Sequence, residues 1–187
     1  GNHTVRMFED RMAALEGAED AFATASGMAA VHGALFSLLK AGDHVVYFAE
    51  LYTPTRAMIR GMLGRFGVTS TMLSIDDVVG LERELAARPT RLVAFESPTN
   101  PVLKVADLER ITAAARKHGA LTLMDNTLAG FHSHGQYEVD IFAHSLTKFA
   151  SGHGDVMGGA VIARQELIDA MWQEFTYIGP TLDPHAA

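Results

Sequence analysis

Two hydroxyl side chains, Ser145 and Thr147, stand at alternate positions just before Lys148 in the stretch His144-Ser145-Leu146-Thr147-Lys148. A lysine in a shielded pocket that carries an anion can lose its proton and act as an amine nucleophile. The two hydroxyls would supply donors for that anion. Ser26-Gly27-Met28 offers a second donor set, because small residues at the start of a helix leave backbone N–H groups and the positive end of the dipole open to a phosphate. Asp125 ends an apolar run and is a buried-carboxylate candidate that would need a cationic partner. Tyr52 has a ring to stack and a proton to exchange, and Asn100 lies in the turn-forming run Pro98-Thr99-Asn100-Pro101.

The elements that must position these residues follow from the apolar pattern. Residues 6–16 have helical spacing with Gly17 as a stop, and a second apolar helix covers about 28–39. Short apolar runs at 44–48, 68–73, 91–95, 121–124, 141–143 and 159–163 read as strands. Between and after them, helices are expected at about 54–65, 76–86, 107–118 and 166–175. The helix at 107–118 is acidic in its first turn and basic in its last, as the helix dipole favours. Strands made of short continuous apolar runs, alternating with helices, indicate an α/β fold with a mostly parallel sheet sandwiched by helices. No repeat, low-complexity tract or linker interrupts the pattern, so residues 1–187 read as one domain.

In such a sheet, ligands bind beyond the carboxyl ends of the strands. Five loops bring Ser26-Gly27, Tyr52, Asn100, Asp125 and Ser145 through Lys148 to that edge. Each piece has a plain reading. Ser-Gly before a helix is commonly a cap, Asp after a strand a turn residue, and Lys a solvated surface group. Together they match the needs of pyridoxal 5'-phosphate (PLP), which takes a lysine Schiff base, an aspartate at its pyridinium nitrogen and a phosphate cradle. Two other readings stand beside it. His132 and His134, with His144 or His153, suggest a metal-dependent hydrolase. A Schiff-base lysine without PLP would leave the phosphate cradle idle unless the substrate were phosphorylated. A non-catalytic interaction domain is disfavoured by the presence of both Asp125 and Lys148.

Composition narrows the field further. The formal net charge of −7 argues against a nucleic-acid or anionic-membrane surface. With no cysteine there is no disulfide, thiolate metal site or thiol nucleophile, which fits a cytoplasmic location. No apolar run approaches a membrane span, and the start has no signal-peptide pattern.

The order of these motifs resembles the Cys/Met-metabolism, or trans-sulfuration, family of PLP enzymes. The matching stretches begin with Met7-Phe8-Glu9, Leu15-Glu16-Gly17, Ala25-Ser26-Gly27-Met28 and Gly42-Asp43-His44. They continue through Glu96-Ser97-Pro98-Thr99-Asn100-Pro101, Asp125-Asn126-Thr127, Ser145-Leu146-Thr147-Lys148 and Gly152-His153-Gly154-Asp155. The resemblance implies the large PLP-binding domain of the aspartate-aminotransferase-like fold (fold type I). It implies that Lys148 holds the cofactor and shuttles protons, while Asp125 keeps the pyridine nitrogen protonated. Ser26, Gly27, Met28, Thr127, Ser145 and Thr147 join the cofactor set, the phosphate being held by Gly27, Met28, Ser145 and Thr147. Tyr52 stacks on the ring and serves as acid or base, and Asn100 lies near the ring hydroxyl. The implied activity is β- or γ-elimination from a sulfur amino acid such as cystathionine, with γ-replacement on an O-acylhomoserine as the alternative. The implied assembly is a homotetramer, a dimer of dimers with shared sites.

The sequence departs from the family pattern in several places. His3 stands where a proline is usual, and Pro54 stands where methionine γ-lyases usually have a cysteine. Tyr52 to Arg56 looks like some β-acting members, whereas Ser97 to Pro101 looks like the γ-acting branch. The stretch from Asp125 to Lys148 is about two residues shorter than the resemblance leads one to expect. The family's N-terminal Tyr-x-Arg and its C-terminal substrate-carboxylate arginine are not in this sequence, so residues 1–187 are expected to be cut from a longer chain.

Overall fold

A computed structural model describes residues 2–131 and 137–187. In chain order the elements are α1 (His3–Glu16), β1 (Asp20–Thr24), α2 (Gly27–Leu38), β2 (His44–Phe48) and α3 (Thr53–Ala57), which continues as a wider π-helical turn over Met58–Leu63. Then come β3 (Thr69–Leu73), α4 (Val78–Ala87), β4 (Leu92–Glu96), α5 (Leu108–Lys117), β5 (Leu121–Asp125), β6 (Ile141–Ser145), β7 (Gly159–Ala163) and α6 (Gln165–Ile178). They form a mixed, mostly parallel sheet flanked by helices, as the pattern of apolar runs implies. Among the described residues no helix is long and apolar enough to cross a membrane.

The chain divides into two compact units. The first holds α1, β1, α2, β6, β7 and α6. Its strands run in the order β1-β7-β6, and β7 is antiparallel to both neighbours. Sequence reasoning missed β1. Its residues, Asp-Ala-Phe-Ala-Thr, include a single large apolar side chain, yet every one is buried. Small residues suffice there because α1 and α6 pack directly on the strand. Phe22 of β1 stacks on Phe175 of α6 at a centroid distance of 4.7 Å. Gly33 of α2 makes room for that ring, since a Cβ at this position would lie 2.0 Å from Phe175. Helix α1 starts where the Asn2 side chain accepts from the N–H groups of Thr4 and Val5, and it ends at Gly17 with φ 74°.

The second unit holds β2 to β5 with α3, α4 and α5, in the strand order β5-β4-β2-β3 and all parallel. Strands β2 and β4 are buried along their whole length, as expected for parallel strands covered on both faces. Phe48 and Phe95 meet edge to face at 6.5 Å near their carboxyl ends. Helices α4 and α5 are each capped by an aspartate, Asp77 accepting from the N–H of Gly80 and Asp107 from that of Arg110. Most element boundaries lie within one or two residues of the sequence expectation.

Candidate active site

In the first unit, the start of α2 meets the end of β6. Ser26 Oγ accepts from the N–H of Ala29 at 3.1 Å, so it is a cap as well as a phosphate-site candidate. A Cβ on Gly27 would lie 2.6 Å from Ser145 Cβ and 2.8 Å from Ser145 Cα. Only glycine lets the helix N-terminus approach Ser145 this closely. The Ser145 N–H donates to Thr127 Oγ1 at 2.8 Å, which ties the segment after β5 to the same spot. Ser26, Gly27, Met28, Thr127 and Ser145 are therefore brought together, all half-buried, with hydroxyls on three of them.

Thr147 follows with its hydroxyl engaged by backbone. Its Oγ1 accepts from the N–H of Gly158 at 3.2 Å and lies 3.4 Å from the Gly158 carbonyl. Lys148 sits in a tight turn, its N–H donating to the Ser145 carbonyl at 3.2 Å and its carbonyl accepting from Gly152 at 3.3 Å. The Lys148 side chain is exposed, and its amine has no ion-pair partner among the described residues. A lysine with no carboxylate partner among the described residues, three positions after Ser145, which meets the N-terminus of α2, suits an aldehyde ligand that carries a phosphate.

Beneath this spot the same unit buries a network that sequence reasoning did not assign. Glu16 Oε1 receives Asn126 Nδ2 at 2.5 Å and lies 2.5 Å from His144 Nε2. Phe131 stacks on the His144 ring at 4.4 Å. His144 is the chain neighbour of Ser145, so the network holds the backbone at the end of β6. Glu16, in Leu15-Glu16-Gly17, gave a weak signal: a charged residue in the last turn of a helix is normally solvated. His144 is thus held by a carboxylate and a ring rather than presented to a metal. No group of three or more metal-ligating side chains occurs among the described residues. His132 and His134 lie outside the described residues.

The second unit carries Tyr52, Asn100 and Asp125. Tyr52 precedes α3 and is 43% exposed, leaving its ring free to stack. Asn100 is exposed, in a loop with cis peptides at Ser97-Pro98 and Asn100-Pro101. Asp125, the last residue of β5, is half-buried, not buried as the sequence suggested. Its register partner on β4 is Glu96. Glu96 is 4% exposed, and its Oε1 accepts from the Asn100 N–H at 3.2 Å. Burial, and then the nearby Asp125 charge, push the Glu96 carboxyl up to about 7 against the pull of the Asn100 and Tyr52 backbone N–H groups. Glu96 was visible in the sequence only as part of a motif. Its signal was a glutamate closing an otherwise apolar strand.

The family model described as "Cys/Met metabolism PLP-dependent enzyme" matches residues 1–187. The chain is 38% identical to L-methionine gamma-lyase of Pseudomonas putida, covering 100% of this chain and 48% of that enzyme. It is 39% identical to O-succinylhomoserine sulfhydrylase of Mycobacterium tuberculosis, covering 97% of this chain and 45% of that enzyme. Among solved structures, cystathionine gamma synthase from Xanthomonas oryzae pv. oryzae in complex with aminoacrylate and cysteine superposes with a TM-score of 0.94 at 31% identity. That match covers 100% of this chain and 49% of the synthase. The chain thus spans about half the length of the relatives it matches.

Proposed function

We propose that this chain, which belongs to the Cys/Met metabolism PLP-dependent enzyme family, supplies the cofactor-binding part of a carbon–sulfur lyase. Its substrate would be a small sulfur amino acid such as cystathionine or methionine, and its reaction β- or γ-elimination. The observation that carries this reading is the close approach of Gly27 to Ser145, three residues before Lys148. That contact gathers backbone and hydroxyl donors for a phosphate close in sequence to a lysine that has no ion pair among the described residues. When bound, PLP supplies an electron sink for the charge that develops at the substrate α-carbon. Lys148 would hold the cofactor and move the α-proton. Asp125 would keep the pyridine nitrogen protonated. Gly27, Met28, Ser145 and Thr147 would hold the phosphate, with Ser26 and Thr127 in the surrounding cofactor set; Asn100 would serve the ring hydroxyl, and Tyr52 would stack on the ring and exchange protons with substrate.

Replacement at the γ-carbon of an O-acylhomoserine is the second reading, favoured by the likeness to a sulfhydrylase and a cystathionine gamma synthase. A homotetrameric, cytoplasmic enzyme is the assembly and location we infer with it. An assay of the whole protein with cystathionine, with methionine and with an O-acylhomoserine plus a thiol separates the two. Ammonia and keto-acid release without thiol supports the lyase, and thiol-dependent product alone supports the transferase. Lys148→Ala is expected to abolish turnover on every substrate. Normal turnover in that variant would overturn the whole reading.

A further inference from the structure

A single buried side chain in the second unit reaches all three segments that bear its proposed cofactor residues. Glu96 takes the backbone N–H of Asn100 at 3.2 Å. The backbone N–H of Tyr52 also faces its carboxyl and pulls in the same direction. On the adjacent strand Asp125 is its register partner. Register partners on neighbouring parallel strands put their side chains on the same face, about 4.8 Å apart. Two carboxyls so placed do not both ionise easily, and the more buried one keeps the proton. Glu96 is the more buried of the two.

A second observation agrees. Glu96 Oε2 lies buried with no hydrogen-bond partner. A charged oxygen in that position would go uncompensated, whereas a protonated one is far less costly. No cation offsets the charge among the described residues. Lys104, on the loop after β4, is paired with Glu50 at 2.9 Å and with Asp76. Glu50, on the loop after β2, is further held by the N–H of Ile75 at 3.0 Å. Asp125 is the charged side chain that acts on Glu96.

We propose that Glu96 is a positioning residue that keeps its proton at mildly acidic pH, where an ordinary glutamate has lost it, so that Asp125 alone presents a carboxylate to the cofactor ring there. In this role Glu96 anchors the Asn100 and Tyr52 segments through one oxygen and concentrates the negative charge on Asp125 through the other. The inference rests on the assignment of Asp125 made under Proposed function.

The test compares wild type, Glu96→Gln and Glu96→Ala in the whole protein. The first measurement is pyridoxal phosphate affinity, read from its absorbance from mildly acidic to mildly alkaline pH. Gln mimics the neutral acid and is expected to bind within about threefold of wild type, while Ala loses about tenfold or more. The second is a difference infrared spectrum, wild type minus Glu96→Gln, taken at mildly acidic pH without cofactor. It is expected to show a protonated carboxyl band. An ionised carboxylate band, or a Gln variant as weak as the Ala variant, would overturn the proposal. If the Ala variant does not fold, the infrared band and the Gln affinity decide. If wild type fails to bind pyridoxal phosphate, the proposed function falls, and the infrared band still reports separately on Glu96.

Discussion

Glu16 and Glu96 are both buried, yet their surroundings ask opposite things of a carboxyl group. Glu16, at the end of α1, shares one oxygen between two side-chain nitrogens, Asn126 Nδ2 and His144 Nε2, under the Phe131 ring. Glu96, at the end of β4, is met by backbone N–H groups and by a like charge, Asp125. The first is a clamp that depends on an acceptor being there. The second is a group whose protonation state the fold decides. Burial alone therefore does not say what a glutamate does; the partners that come with it do.

The largest effect that would break this contrast lies at Glu16. Removing it in Glu16→Ala leaves the Asn126 amide and the His144 ring buried without their shared acceptor. A loss of about 3 kcal/mol or more is expected in denaturant unfolding. Glu16→Gln keeps an acceptor oxygen and should lose less. A change below about 1 kcal/mol in the Ala variant would show that the network is not a clamp.

The next effect is a pH dependence at Glu96. Its carboxyl is pushed up to about 7 in the folded chain, above the ordinary glutamate value. Between those two values the unfolded chain has already released this proton while the folded chain retains it. Glu96 therefore contributes stability at low pH that is lost as pH rises through the window toward about 7. The ceiling is roughly 3 kcal/mol, from about 1.4 kcal/mol per pH unit. Glu9 is also raised, by burial first, and adds a slope of the same sign. His32 and His44 are lowered by burial and add the opposite one. The measurement that isolates Glu96 is the difference between wild type and Glu96→Gln, unfolded at a series of pH values. An identical slope in both would remove Glu96 as its source.

How far the sequence reached follows the same division. Parallel strands such as β2 and β4 are apolar apart from His44 at the start of one and Glu96 at the end of the other, so the pattern located them almost to the residue. Strand β1 escaped because packing by α1 and α6 lets small residues fill a strand that carries no apolar run. The donors around Gly27 and Ser145 were legible because each lies next to a chain punctuation mark, a helix start or a strand end. Asp125 was found but read as buried, since the exposure of a strand's last residue depends on what the fold packs around it, as the buried Glu96 at the end of β4 shows. Glu16, His144 and Asn126 come from three distant segments, and no local spacing reports a contact that only the fold creates. Glu96 stood in plain view inside a motif. Its role depends on the cross-strand register with Asp125, which sequence order does not contain.

The smallest effect calibrates the other two. Glu82 of α4 pairs with Arg110 of α5 at 3.2 Å, and both side chains are about half exposed, 51% and 50%. Water solvates each ion whether or not the pair forms, and holding two long side chains together costs entropy. Glu82→Ala should therefore change unfolding stability by no more than about 0.5–1 kcal/mol, and added salt should shrink even that. A loss comparable with that of Glu16→Ala would mean that formal charge, rather than the desolvated neighbourhood, sets what a glutamate is worth in this chain. A near-null result, set beside a large one at Glu16 and a pH-dependent one at Glu96, would tie the difference among three chemically identical side chains to what surrounds each of them.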